Sequence, residues 1–241
     1  MDVVTTVCLK RVVRLSPPSA SAQQGEDLLD SVTGVLCSES TDPGGYLCGA
    51  RMALARVVEP RSSWAEEFRD IAARLEAALG DMALRIDHIG STSVPELAAK
   101  DVIDVQVTVA TLQPERLVQQ MSHAGFKASR GAEIEYDHTP SGADASQCAE
   151  WAKLSFSAPS DSRPVHIHVR AAGKANQRYA LLFRDYLRTH PRAAAAYAEL
   201  KRRLAALDIQ TGVYAEIKDP VCDLVMISAE EWAAKTGWDA R

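Results

Sequence analysis

Residues 85–109 read RIDHIGSTSVPELAAKDVIDVQVTV, and their pattern predicts two strands joined by a Gly-Ser turn. The second run, VIDVQVTV, is apolar except for three polar residues at alternate positions. Because successive side chains on a strand point to opposite faces, its aliphatic residues share one face. Asp104, Gln106 and Thr108 share the other. This polar face either holds a ligand or a metal, or it simply meets water.

A later strand-like run, PVHIHVR at residues 164–170, has the same design. Its aliphatic side chains point one way, and His166, His168 and Arg170 point the other way. Two strands of this kind can line one cleft. The two histidines are interpreted either as a metal pair or as a polar strand face, and no cysteine or third histidine has a spacing typical of zinc sites.

The turn between the first two strands is suited to a phosphate group. Gly90 can adopt backbone conformations that other residues avoid. Ser91, Thr92 and Ser93 supply hydroxyl groups and backbone N–H groups, and a short helix is predicted to begin at Pro95. His88 either fixes this turn through hydrogen bonds or contacts a ligand, and the sequence leaves both roles open.

The surrounding pattern predicts an α+β fold. Ser63 and Glu66 form a possible capping box for one amphipathic helix, Gly80 can end that helix, and Pro191 can open a later one. Further strands are predicted in LARVVEP and WAKLSFSA, and further helices in PERLVQQMSHAGF, ANQRYALLFRDYLRTH, RAAAAYAELKRRLAAL and PVCDLVMISAEEWAAKTGW. We expect a mixed, mostly antiparallel sheet flanked by helices, with a helical C-terminal section.

Composition excludes several classes of function. The chain has 241 residues, 46% of them hydrophobic, and a net charge of −5, which argues against an extended nucleic-acid surface. No apolar run approaches the roughly 18 residues that a membrane span needs. Five scattered cysteines without a C-x-x-C pair are typical of free thiols in a reducing compartment. We therefore expect a cytoplasmic protein without membrane partners.

The first 51 residues differ from the rest, because they contain Ser-, Pro- and Gly-rich stretches such as SPPSASAQQGEDLLDS. They are predicted to be a poorly ordered or atypical extension preceding a domain at residues 52–241. A start of translation at Met52 and a transit-like role for the first 20 residues are open alternatives.

The motifs at the opening stretch resemble a known superfamily. Ile89-Gly90-Ser91, twelve residues and then Asp104-Val105-Gln106 resemble the signature of nucleotidyltransferases with the DNA polymerase β-like fold. The longer string HIGSTSVPELAAKDVIDVQV, with VHIHVR and YAEIKDP after it, resembles the GrpB family within that superfamily, over about residues 54–238. KDVIDVQVTV, YDHT, PSDSRP and NQRYALLFRDYLRTHP resemble its actinobacterial branch, often fused behind dephospho-CoA kinase domains.

The resemblance implies a site. In that superfamily the Gly-Ser turn holds nucleotide phosphates, and three carboxylates bind two Mg²⁺ ions. Asp104 corresponds to the first carboxylate and is the implied Mg²⁺ ligand, whereas Gln106 and His168 stand where the other two acids are expected. These three are the implied catalytic residues. The implied nucleotide-binding residues are Gly90, Ser91, Thr92, Ser93, Lys100, Arg170, Arg184 and Lys201.

Two functions follow from the resemblance. The first is Mg²⁺-dependent transfer of a nucleotidyl group from a nucleoside triphosphate to an unknown acceptor. The second is a non-catalytic regulatory module that binds a nucleotide or a CoA precursor and partners a dephospho-CoA kinase. Gln106 and His168 favour the second function, because an amide or an imidazole holds Mg²⁺ poorly. The chain has no G-x-x-x-x-G-K-[ST] loop, so we do not expect kinase activity from it.

One further prediction concerns aromatic residues at helical spacing. Tyr179, Phe183, Tyr186 and Tyr197 lie on the two predicted late helices. Residues in such a pattern usually form the core of a helical layer. We therefore predict core packing for them and no stacking on a nucleotide base.

Overall fold

The computed structural model of the protein describes residues 54–240 except 143 and 160–161. The prediction of a poorly ordered extension over residues 1–51 lies outside the described residues. No helix in residues 54–240, as described, is long and apolar enough to span a membrane.

The described chain forms one mixed sheet and five α-helices. The elements are α1 (Trp64–Leu79), β1 (Arg85–Ile89), β2 (Ile103–Val109), α2 (Pro114–His123), β3 (Lys127–Ala128), β4 (Glu135–Tyr136), β5 (Ala152–Ser157), β6 (Val165–Ala171), α3 (Ala175–Thr189), α4 (Pro191–Ala205) and α5 (Thr211–Thr236). Strand order is β1-β2-β6-β5-β3, with β4 paired to β5; β2 and β6 are parallel and the other pairs antiparallel. The predicted α+β class, mixed sheet and helical C-terminal section are therefore confirmed.

The alternation in β2 and β6 places the main core on one face of the sheet. The aliphatic residues of β2 are 0–2% exposed and pack with α1 and α2, which contribute Leu75 and Leu117. On the opposite face the expectation was only partly right. Asp104 keeps partial exposure, but Gln106 and Thr108 are buried, and the N-terminal part of α3 contacts Gln106.

Two local predictions near the N-terminal side of the fold are wrong. Ser63 makes no side-chain cap hydrogen bond at the start of α1, so the capping box does not form. The run LARVVEP is not a strand, because Leu54 and Val58 make only isolated bridges, to Gln210 and Ala99. Short extended segments of this kind are attached by neighbouring loops and do not join a ladder.

Two helix starts also differ from the pattern. Pro95 begins a turn, and the short 3₁₀ helix lies earlier, at Ser91–Ser93. The last helix begins at Thr211, so Pro220 lies inside it. Tyr214, only 1% exposed, anchors the added first turns against Leu204, and this packing offsets the hydrogen bond that proline cannot donate.

Candidate functional site

A cavity of about 450 Å³ lies where the N-terminal ends of β2 and β6 meet the Gly-Ser turn and helices α3 to α5. Most of the predicted site residues line it. The structure does not bring Ser93, Gln106 or Arg184 to its wall. The predicted residues that line it are Gly90, Ser91, Thr92, Lys100, Asp104, His168, Arg170 and Lys201. Their functional roles stay predictions.

Gly90 allows the turn to lie directly on Asp104. Its φ is +68°, in the left-handed region that favours glycine. A Cβ atom at this position would lie 2.4 Å from Oδ2 of Asp104, far inside van der Waals contact. The glycine therefore allows the Gly-Ser turn to lie close to the Asp104 carboxylate.

Hydrogen bonds from neighbouring residues fix the shape of the Gly-Ser turn. Ser93 Oγ donates to the Gly90 carbonyl over 2.6 Å, and Arg188 donates to the Ser93 carbonyl over 2.8 Å. His88 Nε2 lies 3.0 Å from Thr92 Oγ1, and its ring stacks on Phe68. Because His88 does not line the cavity, its contacts support the first of its two predicted roles, that of fixing the turn.

Lys201 is the most unusual cation at the cavity. Its side chain is 2% exposed, and Nζ donates to Ser91 Oγ over 2.8 Å and to the Ala98 carbonyl. It also lies 4.7 Å from the centre of the Tyr197 ring. Within the described part of the chain no carboxylate lies within 4.0 Å of it, and burial lowers the pKa of its ammonium group to about 7.

Asp104 meets two histidines from β6. Its Oδ1 lies 3.4 Å from His166 Nδ1 and 4.0 Å from His168 Nε2. Burial would raise the pKa of Asp104, but the two imidazole rings beside the carboxylate outweigh burial and hold that pKa well below its usual range. The carboxylate is therefore ionised throughout the physiological range.

His168 is a neutral imidazole. Lys153 Nζ lies 3.4 Å from its Nδ1, so the ring accepts at Nδ1 and directs its Nε2–H toward Asp104. Burial lowers the pKa of His168 to about 4; the charges of Arg170 and Lys153 act in the same direction, and Asp104 opposes them. This ring orients polar groups and does not add positive charge.

Asp137 is a site residue that sequence reasoning missed. It lines the cavity just after β4, and it accepts from Lys153 and Arg170 over 2.8 Å each and from Asn176 over 3.1 Å. Burial would raise its pKa, but the charge and hydrogen bond of Arg170 hold it well below the usual range. The YDHT string contained the signal, but only the pairing of the two-residue strand β4 with β5 brings Asp137 to β6.

Gln106 does not occupy the position of a metal ligand. It is 0% exposed; its Nε2 donates to the Gln177 carbonyl, and its Oε1 accepts from Arg170 over 2.5 Å. Both ends of the amide are thus used beneath the cavity wall. The geometry gives Gln106 the task of holding Arg170, because an uncharged acceptor lets that guanidinium also pair with Asp137.

Arg184 lies on the face of α3 that packs on β1. Its guanidinium is 3.3 Å from Asp87 and 2.7 Å from Asp185, and it donates to the His88 carbonyl. The prediction that it reaches a phosphate in this cavity is not supported, because its guanidinium contacts β1 and Arg184 does not line the cavity. The helical pattern placed it correctly on α3 but did not indicate which face packs against the strand.

The prediction of core packing for the aromatic residues is confirmed, and three of the four rings also line the cavity. Tyr186 packs away from the cavity against His190 and Trp232, but Tyr179, Phe183 and Tyr197 contribute to the cavity wall. Their rings contact one another in sequence, with Phe183 between the two tyrosines. They are both packing residues and an apolar wall of the cavity.

The donors at this site do not fit two Mg²⁺ ions. Mg²⁺ prefers several hard oxygen ligands. Asp104 offers one carboxylate, but Asp137 is occupied by three donors and Gln106 is buried. Among the described residues there is no group of three or more His, Cys, Asp or Glu side chains that could hold a metal ion. The implied two-metal arrangement is therefore not supported.

The buried histidines predict an acid-dependent loss of stability. Burial lowers the pKa of both His88 and His168 from 6.5 to about 4, so the unfolded chain binds more protons between these values. Stability should be complete above about pH 6.5 and should fall as the pH decreases toward 4. Urea unfolding at about pH 7.5 and about pH 5 measures the change. His88→Asn combined with His168→Gln should flatten the dependence, and the exposed His123→Gln should leave it unchanged.

Comparisons with known proteins point to one family. The family model described as GrpB protein matches residues 55–227. The chain is similar to the crystal structure of the conserved protein GrpB from Enterococcus faecalis, with a TM-score of 0.57 and 29% identity, over 73% of this chain and 99% of that chain. It is also 35% identical over 144 residues to the UPF0157 protein YqkA of Bacillus subtilis, covering 59% of this chain and 37% of that protein.

Longer relatives carry a different name. The chain is 35% identical over 221 residues to the dephospho-CoA kinase of Mycobacterium leprae, covering 81% of this chain and 52% of that protein. It is 36% identical over 206 residues to the dephospho-CoA kinase of Mycobacterium tuberculosis, covering 77% and 48%. The chain thus spans about half the length of these relatives.

Proposed function

The chain belongs to the GrpB family, and on that premise we propose that its cavity binds a nucleoside triphosphate or a nucleotide-containing CoA precursor. The phosphates lie on the Gly90-Ser91 turn, next to Lys201, and the apolar wall of Tyr179 and Phe183 receives the remainder of the ligand. In this role the protein is a regulatory module that binds a nucleotide.

The observation that carries the proposal is the buried amine of Lys201, whose charged and uncharged forms are both populated at neutral pH. The charged form is costly in a buried position unless an opposite charge pairs with it, and among the described residues the hydrogen-bond partners of Lys201 are neutral oxygens. Lys100, Lys218 and Arg170 line the same cavity and add further positive charge. A phosphate on the turn would supply the missing counter-charge through charge-assisted hydrogen bonds.

Binding is favoured over two-metal transfer by the state of the acidic positions. Asp137 is already neutralised by Lys153 and Arg170, and Gln106 supports the same arginine. These contacts make a rigid cationic wall. Such a wall serves phosphate binding without requiring the wall residues to rearrange.

A second candidate is Mg²⁺-dependent nucleotidyl transfer. The ionised carboxylate of Asp104, in contact with the Gly-Ser turn, favours it. Asp104 and the ligand's own phosphates would hold a single ion, which would supply charge neutralisation and polarise a phosphoryl oxygen.

The names of the longer relatives suggest an enzyme beside which the chain works. Since the chain corresponds to about half of proteins named dephospho-CoA kinase, we propose that it works beside such a kinase in the cytoplasm. ATP and dephospho-CoA are both adenosine 5′-phosphoanhydrides, so either could occupy the same cavity.

Calorimetric titration tests the proposal. We expect at least one of ATP, GTP, CTP, UTP and dephospho-CoA to bind. Lys201→Met should weaken this binding by about 10- to 100-fold, since a charge-assisted hydrogen bond contributes about 1.5–3 kcal/mol. Methionine fills a similar volume, so the fold should persist.

The control is Arg203→Met, on the exposed face of the same helix. It removes the same charge without touching the cavity and should leave the affinity unchanged. Absence of binding by all five compounds contradicts the proposal, as does equal weakening by both variants. Loss of Mg²⁺-dependent binding in Asp104→Asn would favour the second candidate, and its persistence would exclude the Asp104-bound ion.

A further inference from the structure

Ser91 and Lys201 form an isolated serine–lysine pair at the cavity wall. Ser91 is partly exposed and lies on the turn that follows Gly90, and its Oγ is 2.8 Å from Lys201 Nζ. In the described part of the chain this amine is the hydrogen-bond partner of Ser91 Oγ, and no carboxylate competes for it. The spacing is that of a nucleophile and its base.

The base is held in one orientation. The Ala98 carbonyl accepts a second hydrogen bond from Lys201 Nζ, and the Tyr197 ring lies against it. The packing leaves Lys201 only 2% exposed, and it lines the cavity together with Ser91. A third group that orients the base completes the usual arrangement of a serine nucleophile.

Four titratable groups on three elements surround Lys201. Lys218 and Cys222 face it from α5, Arg202 from its own helix, and Asp104 from β2. Burial and the two cations lower its pKa, the thiol and the carboxylate raise it, and the result is about 7. A large fraction of the amine is therefore uncharged at neutral pH, and an uncharged amine accepts a proton.

We propose that Ser91 is a nucleophile, with Lys201 as its general base, and that Ser91 Oγ attacks the α-phosphorus of a nucleoside triphosphate. Lys201 takes the proton from Ser91 Oγ while the Oγ–P bond forms. The bond from that phosphorus to the bridging oxygen breaks, and pyrophosphate leaves with the electron pair. The product is a nucleotidyl ester of Ser91 and a protonated Lys201.

The cations of the cavity suit this reaction. Lys100 and Lys218 line the wall beside the turn, where charge develops on the leaving pyrophosphate. The choice of a nucleoside phosphoanhydride rests on the proposed function. The serine–lysine pair itself does not depend on it.

A fluorophosphonate probe tests the pair in the full-length chain. This probe phosphonylates activated serines, and peptide mass spectrometry locates the adduct. We expect labelling at Ser91 that disappears in Ser91→Ala and slows at least about 100-fold in Lys201→Arg, because the guanidinium cannot act as a base. Ser155→Ala is the control, since Ser155 bonds to the Glu135 carboxylate and lies outside the cavity.

The labelling rate of the unaltered chain gives a second readout that does not depend on a variant folding. It should rise with pH and reach half its maximum near pH 7, as Lys201 loses its proton. A rate without this rise overturns the inference, and so does unchanged labelling in a folded Lys201→Arg variant.

Incubation with nucleoside triphosphates labelled at the α-phosphate tests the donor. A nucleotidyl adduct at Ser91 supports the reaction, and a probe-labelled Ser91 without any such adduct overturns the choice of donor. Calorimetric binding without any labelling of Ser91 means that the inference fails and the proposed function stands. Labelling of Ser91 without nucleotide binding means that the serine–lysine pair stands and the proposed function fails.

Discussion

Replacing Arg170 by methionine is expected to lower the free energy of unfolding by about 3–5 kcal/mol. Arg170 is 6% exposed and donates to Asp137 over 2.8 Å and to Gln106 over 2.5 Å. Without it, Asp137 keeps Lys153 and Asn176, but Gln106 Oε1 is left without a donor at a position that water does not reach. The expected cost combines the weaker pairing of the Asp137 charge with the unpaired acceptor of Gln106.

Urea unfolding at neutral pH measures this effect as a lower midpoint with an unchanged slope. The matched control is Arg178→Met, which breaks a partly exposed pair with Glu230 and should cost at most about 1 kcal/mol. Adding Gln106→Leu to Arg170→Met should recover part of the loss, because the orphaned acceptor is removed. Equal losses in the two arginine variants would show that the Arg170 contacts do not stabilise the fold.

Gly90→Ala is expected to have the largest effect on the cavity and to destabilise the protein by about 2–4 kcal/mol. The added Cβ would lie 2.4 Å from Asp104 Oδ2 and 2.9 Å from Asp104 Cβ, and the φ of +68° is unfavourable for alanine. Either Asp104 or the whole turn must move. We expect ligand affinity in the calorimetric titration to fall with stability, because Ser91 moves with the turn.

A double-mutant cycle separates the clash from the backbone strain. In an Asp104→Gly background the side-chain clash is gone, so Gly90→Ala should cost only about 1 kcal/mol, the strain of the positive φ. Gly125→Ala is the backbone control: its φ is +84° and no atom lies within 4 Å of the added Cβ. Equal costs for Gly90→Ala in both backgrounds would mean that contact with Asp104 does not require the glycine.

The sequence by itself determined the faces of the elements. The alternation in VIDVQVTV and PVHIHVR correctly separated the core valines from Asp104, His166 and His168, because a strand has a period of two whatever surrounds it. The helical period and Pro191 likewise located α1, α3 and α4. Such local rules act between residues only a few positions apart.

What covers each face was decided by the tertiary structure. Gln106 shares the face of Asp104, yet α3 buries it and turns it into a support for Arg170. Asp137 and the Ser91–Lys201 pair depend on contacts between elements far apart in the chain, the latter across 110 residues. Contacts between distant residues depend on how all the elements pack and hydrogen-bond together in the folded protein. A local sequence pattern does not contain this information.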